Sequence, residues 1–306
     1  MRFVCFRKIV KENCASKGVA KMTVKELVNY EDSVNWMRGQ AEHTDLVKLC
    51  YLDRDNLEAA KRFTASEEFQ EVSKLLQLRD RATPAKVLDL GCGNGIASYA
   101  FTSLNCEVTA VDPDTSDDVG LMAADRLRSH INNGSITTIQ ATAESLPFPD
   151  NTFDVIYERQ ALHHFSDLVQ GLTECARVLK PGGLFLATRE HIVNDAQQLE
   201  KFFAGHILHQ KHGSENAYPV AHYTNSLKQA GFTVVQQMAP MDNVINHFPA
   251  SNADVYEAMC TWYRSKFGKA IGNSMIQLPF AEKAYRRFRS MRDQSPGRLY
   301  SFLSTK

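Results

Sequence analysis

The sequence predicts an α/β protein whose core is one doubly wound, seven-stranded sheet. Three observations carry this. Between residues 86 and 236, short apolar runs alternate with stripes of helical spacing, the pattern of a parallel sheet covered on both faces. The first run, Val87-Leu88-Asp89-Leu90, opens into Gly91-Cys92-Gly93-Asn94-Gly95, a turn in which glycines let the backbone reverse sharply. An acid, Asp112, closes the second run about 20 residues further on, at the end of a strand where ligands of such sheets gather.

The elements follow in order. Residues 1–21 are basic and patternless, with Lys8, Lys11, Lys17 and Lys21 among small residues, and are expected to form a flexible extension; Met22 could equally begin the chain. Residues 22–81 are expected to be helical and to cover the sheet as a lid. Ser66 is a helix cap, Glu67 and Glu68 favour the positive end of the helix, and Phe69, Val72, Leu75 and Leu76 share one face. Strands are expected at 86–90, 107–112, 135–140, 153–157 and 184–188. A helix capped by Ser166 carries Leu168, Leu172, Cys175 and Leu179, and Pro181-Gly182-Gly183 ends it. A His-rich stretch (His191, His206, His209, His212, His222) precedes a helix ending at Ala230-Gly231. A sixth strand at 232–236, a helical insertion over 242–298 and a seventh strand at 299–303 complete the chain. The core is thus 82–241 with 299–306.

Composition narrows the function. The 306 residues carry 35 Lys and Arg against 35 Asp and Glu, so a dedicated nucleic-acid binder, which needs a basic surplus, is not expected. No run is long and apolar enough for a membrane span, and the apolar run at residues 3–6 is too short for a signal-peptide core. The seven cysteines form no CxxC pair, which speaks against a zinc or disulfide framework and for a reducing cytoplasm. Residues 261–306 hold ten Lys and Arg against Glu282 and Asp293, which keeps an anionic small molecule open as a partner.

The glycine turn and Asp112 suit a nucleoside ligand, because a carboxylate there can accept hydrogen bonds from two ribose hydroxyls. A dinucleotide site wants a third glycine at position 96, where this chain has Ile96, and its pyrophosphate would meet the carboxylate of Asp89. S-adenosylmethionine has a cationic amine and a sulfonium and no phosphate, so the charges favour it over a nicotinamide cofactor.

Asp89-Leu90-Gly91-Cys92-Gly93-Asn94-Gly95 resembles the first motif of class I S-adenosylmethionine-dependent methyltransferases, and Val111-Asp112-Pro113 resembles their second. Ala143-Glu144-Ser145-Leu146-Pro147-Phe148, the run from Asp150 to Val155, Leu162-His163-His164-Phe165 and Leu179-Lys180-Pro181-Gly182-Gly183 are similar to the small-molecule subgroup. The resemblance implies a Rossmann-like doubly wound sheet with its last strand antiparallel. It also implies roles. Asp89 and the Gly91 backbone would hold the methionine amine, and Gly93 and Gly95 would admit the cofactor. Asp112 would bind the ribose, Pro113 would flank the adenine, and Ala143 and Glu144 would border it. Glu158 and Arg159 would lie at the methionine end. Thr142 stands where the subgroup often has Asp, and the charged pair Glu158-Arg159 where small polar residues are commoner.

Methyl transfer needs a base only where the nucleophile holds a proton at neutral pH. His191, His163 and His164 are the candidates, with reference pKa values near neutrality and positions at strand ends. Trp36, Arg38, Tyr51, Glu190, Tyr218 and His247 are the candidate acceptor contacts, and Glu215-Asn216-Ala217-Tyr218 is expected over the pocket mouth. His206, His209 and His212 have helical spacing but no Cys or acid to complete a set, so no metal site is expected. The basic stripe around Phe280, Ala284, Tyr285, Phe288 and Met291 reads first as a solvated helix face, with an anionic acceptor or membrane surface as the alternative. The expected activity is methyl transfer to a small molecule, a hydroxyl of a sugar, quinone, lipid or secondary metabolite, yielding S-adenosylhomocysteine. The alternatives are a nicotinamide-dependent oxidoreductase and a catalytically silent S-adenosylmethionine-binding module. A homodimer is left open.

Overall fold

The structure is a computed structural model that describes residues 29–79, 81–213 and 215–306; the expected extension over 1–21 and Met22 lie outside the described residues. Four helices open the described chain: α1 (Tyr30–Arg38), α2 (Thr44–Leu49), α3 (Asn56–Ala65) and α4 (Glu67–Leu75). Then come β1 (Lys86–Leu90), α5 (Ile96–Thr102), β2 (Glu107–Asp112), α6 (Leu121–Arg126), β3 (Ser135–Gln140), β4 (Phe153–Arg159), α7 (Leu168–Val178) and β5 (Leu179–Ile192). Next are α8 (Ala196–Gly205), α9 (Ile207–His212), α10 (Val220–Gln229) and β6 (Thr233–Met238). The chain ends with α11 (Val244–His247), α12 (Asn252–Phe267), α13 (Lys269–Ile276), α14 (Ala281–Arg292) and β7 (Arg298–Thr305).

The seven strands form one sheet in the order β3-β2-β1-β4-β5-β7-β6, with β7 antiparallel to both neighbours and the other pairings parallel. The order reverses between β1 and β4. The crevice at the carboxyl ends of these two strands is therefore the natural ligand site of the fold.

Both faces are covered. On one, Val87, Val108, Val155 and Tyr157 pack under Phe63, Phe69, Val72 and Phe101, so α3, α4 and α5 share a core with the sheet. On the other, Leu88, Ile156 and Phe185 meet Leu172 and Cys175 of α7 and Tyr223 and Leu227 of α10. The helix starts have local causes. Ser66 caps α4 by accepting the Phe69 amide at 3.1 Å, as its sequence indicated. The cap of α7 is Asp167 rather than Ser166: its carboxylate accepts the amides of Val169 and Gln170.

One further expectation needs correction. The fifth strand is much longer than 184–188, running from Leu179 to Ile192. Its neighbours explain this, since β4 and β7 both extend past the predicted ends and offer it backbone partners. Within it the register against β7 shifts between Ala187 and Glu190, and Arg189 has a left-handed φ of 61°. The stripe around α14 is the solvated face expected, apart from Tyr285. Tyr285 is buried against α12, whereas Phe280 and Met291 are exposed, because the covering helices reach only one edge of the stripe.

Candidate functional site

The glycine turn is built by its own backbone. Gly91 and Gly95 have φ of +67° and +77°, where a side chain is strained. A Cβ on Gly91 would stand 2.6 Å from Cβ of Ala161, and one on Gly95 would stand 2.6 Å from Cβ of Ala124. Gly93 differs: a Cβ there would meet only the Val119 carbonyl oxygen at 3.4 Å, so its open side is a place where a ligand can approach the backbone.

Asp112 stands across from this turn. Its Oδ2 accepts the Gly93 amide at 2.8 Å and its Oδ1 accepts the Asp114 amide at 2.9 Å. Each oxygen retains a lone pair. Burial pushes its pKa up to about 6, against the lowering effect of the two amides. Pro113 is exposed beside it, and its carbonyl accepts from Gln140. Ala143 is buried, and Glu144 accepts the Asp167 amide at 3.2 Å, which joins that loop to the start of α7.

Asp89 lies beneath the turn. It is 2 % exposed and takes the Ser98 hydroxyl at 2.5 Å, while burial raises its pKa to about 7. Its Oδ2 therefore buttresses the turn from below. Ser98, which the sequence reading missed, is the partner that makes this possible.

Glu158 and Arg159 are likewise committed to the protein. Arg159 forms a two-pronged ion pair with Glu68 of α4, with Nε–Oε1 at 2.8 Å and Nη2–Oε2 at 3.3 Å. Glu68 is fully buried. A charge one turn before Val72 on an otherwise apolar stripe was the signal available in the sequence. Glu158 accepts the amides of Ala161 and Leu162 at 2.9 and 3.2 Å. Burial and the neighbouring Glu190 push its carboxyl well above the usual range.

The carboxyl ends of β4 and β5 carry a buried cluster. Glu190 accepts the Ala161 amide at 3.0 Å and meets Nδ1 of His163 at 2.8 Å. The Nε2 of His163 faces Glu215 Oε2 at 3.3 Å, and Nε2 of His164 is 3.8 Å from the same oxygen. Burial alone would lower the pKa of His163, but Glu190 and Glu215 outweigh it and raise it to about 9. His163 thus stands between two carboxylates, which favour its protonated form. His191 is the opposite case: burial and the neighbouring His163 push it down to about 3. It keeps its lone pair at neutral pH but takes a proton poorly. Its Nδ1 lies 3.2 Å from the Gly297 carbonyl oxygen, and its Nε2 lies 3.4 Å from Nε2 of Gln160, a residue the sequence reading passed over. One donor atom from each of His163, His191 and Glu215 lies within 4.8 Å of the other two.

The expected acceptor contacts separate. Trp36 is on the outer surface with Lys211 Nζ 3.7 Å from its ring centre. Arg38 is consumed by the Leu52 and Asp53 carbonyls, Asn35 and Asp118, which tie α1 to the loop after β2. Both ring nitrogens of His247 are engaged, Nδ1 with the Ala250 carbonyl at 2.9 Å and Nε2 with Arg286 at 2.9 Å. Glu190 is fully buried behind the cluster. Tyr218 is half-buried, with its hydroxyl accepting from Asn216 and its ring against His222. Tyr51 alone keeps an unused group. Its ring stacks on Phe248 at 5.8 Å, and its buried hydroxyl has no hydrogen-bond partner among the described residues. The spacing of His206, His209 and His212 does not converge either: His206 caps α9, His209 stacks on Phe203 and His212 lies against Tyr30.

Residues 88–187, from β1 into β5, match the family described as a methyltransferase domain. That part of the chain is thus similar to a methyltransferase domain. The Bacillus subtilis uncharacterized methyltransferase YcgJ is 35% identical over 135 residues, which are 44% of this chain and 52% of that protein. The ubiquinone/menaquinone biosynthesis C-methyltransferase UbiE of Proteus mirabilis is 35% identical over 128 residues, 40% of this chain and 50% of its own. The chain thus spans about half the length of the curated relatives it matches. Among solved structures, that of the cyclase SpnF aligns with a TM-score of 0.52 over 81% of each chain at 21% identity, which speaks for the fold alone. Outside the matched residues lie α1 to α4 and everything from the end of β5 onward. No helix among the described residues is long and apolar enough to cross a membrane.

Proposed function

We propose that the chain is an S-adenosylmethionine-dependent methyltransferase that modifies a hydroxyl of a small, anionic acceptor. The observation that carries the cofactor assignment is Asp112, held by the Gly93 amide at 2.8 Å with a lone pair on each oxygen still available, opposite the open side of Gly93. This arrangement suits two ribose hydroxyls. Pro113, Ala143 and Glu144 line the direction in which an adenine would extend. When bound, S-adenosylmethionine supplies a methyl group on a sulfonium already activated for displacement. The task left to the chain is alignment and exclusion of water.

Arg189 supports an anionic acceptor. Its side chain is buried, its Nη1 donates to the Ile245 carbonyl at 2.6 Å, and its Nε has no partner. No carboxylate among the described residues forms an ion pair with it. An uncompensated buried guanidinium is costly unless a ligand's carboxylate or phosphate completes it. Tyr51 and Phe248, near the same guanidinium, would wall that site. His191 suits the role of positioning residue, accepting a hydrogen bond at Nε2 rather than removing a proton.

Relatives are named for ubiquinone biosynthesis, some as C- and some as O-methyltransferases, so quinone-type phenols enter the acceptor screen beside sugars, lipids and secondary metabolites. The free cysteines of the described chain suit a cytoplasmic setting. The test is an acceptor screen with methyl-labelled S-adenosylmethionine and the full chain. Label should pass to a hydroxyl compound bearing a carboxylate or phosphate, and Arg189→Gln should raise KM more than it lowers kcat. Transfer only to uncharged acceptors would remove the Arg189 assignment. Binding of the cofactor without transfer to any fraction would favour a silent module.

A further inference from the structure

His163, His191 and Glu215 come from three separate segments: the turn after β4, the end of β5 and the loop between α9 and α10. Their donor atoms nevertheless converge within 4.8 Å. We propose that these three side chains bind one divalent transition-metal ion.

The strongest support is what holds the imidazoles from behind. The far nitrogen of His163, Nδ1, is fixed by Glu190 Oε2 at 2.8 Å, and the far nitrogen of His191, Nδ1, donates to the Gly297 carbonyl at 3.2 Å. A carboxylate or backbone carbonyl behind each ring is the arrangement that orients metal-binding histidines and leaves Nε2 facing the ion. Glu190 is in turn braced by the Ala161 and Leu162 amides, at 3.0 and 3.3 Å, so the support is itself rigid. Without an ion, His163 Nε2 and Glu215 are joined by a proton at 3.3 Å. An ion would take that proton's place.

The distances allow it. Ligand atoms about 2.0–2.2 Å from a tetrahedral ion stand roughly 3.4 Å from one another. The His163–Glu215 separation is already close to that value, and the widest separation, within 4.8 Å, would have to close by at most about 1.4 Å. Glu215 lies in a loop two residues past Gly213, and Gln160, now 3.4 Å from His191 Nε2, is the group an ion would displace. His164, with Nε2 3.8 Å from Glu215, stands close enough to become a fourth donor. Two imidazoles and a carboxylate select zinc, cobalt, iron or manganese over calcium and magnesium. Three protein ligands leave a position for water or for an acceptor oxygen. That last step rests on the methyl-transfer reading, whereas ion binding does not.

The test uses chelator-treated full chain titrated with Co2+ and read by visible ligand-field absorption, with Zn2+ as competitor. One saturating equivalent, displaced by Zn2+, is expected. His191→Ala and Glu215→Gln should abolish the band, Glu190→Gln should weaken binding by about 10–100-fold, and a variant with alanine at 206, 209 and 212 should keep it. S-adenosylhomocysteine binding by the same variants reports that they are folded and tests the cofactor reading separately. X-ray absorption of the Zn2+-loaded unmodified chain should show two imidazole nitrogens and an oxygen, whatever the variants do. No saturable binding, a sulfur shell, or an unchanged band in His191→Ala with Glu215→Gln would overturn the proposal.

Discussion

The glycine turn and the cluster at the ends of β4 and β5 lie side by side but are made in opposite ways. The turn is local: Gly91 and Gly95 need no distant partner to adopt positive φ, and Asp112 reaches Gly93 from the adjoining strand. The cluster is assembled at long range. Glu68 reaches Arg159 across 91 positions of sequence and Glu190 reaches His163 across 27. The local device depends on backbone geometry, while the assembled one depends on buried charges that are harmless only as complete pairs.

Breaking one pair should therefore have the largest effect. Glu68→Gln leaves Arg159 buried without its counter-charge and should cost about 3–5 kcal/mol of stability in urea unfolding, with cofactor affinity of the folded fraction retained. A cost below about 1 kcal/mol would mean the pair is not structural. Gly95→Ala strikes the local device. With φ at +77° and Ala124 2.6 Å from the new Cβ, it should cost about 1–3 kcal/mol, and unlike Glu68→Gln it should also weaken cofactor binding.

Titration sharpens the contrast. Burial holds Asp89 and Asp112 at about 7 and about 6, above their ordinary value of 3.8, so between that value and neutrality the folded state binds more protons than the unfolded one. Their contribution to stability must then fall as pH rises from about 4 to 7, by at most about 1.4 kcal/mol per pH unit for each group. Asp89→Asn should flatten that part of the stability–pH curve, and an unaltered curve would mean that Asp89 is ionised throughout. The smallest effect belongs to Trp36→Ala. Its ring lies outside the crevice against Lys211, so stability should change by no more than about 1 kcal/mol and KM for the acceptor should not move.

Legibility followed the same division. The strand alternation, the turn and Asp112 were readable because adjacent residues make them. Ser66 was readable for the same reason, since a cap bonds three residues ahead. The error over the fifth strand arose because a strand's length is set by its partners, here β4 and β7, which lie elsewhere in the sequence. Trp36, Arg38 and His247 had the right chemistry for an acceptor site, but the fold spends Arg38 and His247 on tertiary ties and turns Trp36 outward. Asp89 was chosen for its charge, and its bond to Ser98, nine residues on, was not read with it. Glu215 was placed near the pocket mouth, yet nothing local to it announces His163 and His191 as neighbours.

The central claim is that the turn and Asp112 hold S-adenosylmethionine, and calorimetric titration of the full chain with S-adenosylhomocysteine tests it most directly. The account predicts saturable binding at one site, no binding of NADH, and a loss of about 1.5–3 kcal/mol in Asp112→Ala, the value of hydrogen bonds to a charged group. Equal affinity in Asp112→Ala, or NADH binding in place of S-adenosylhomocysteine, would contradict it.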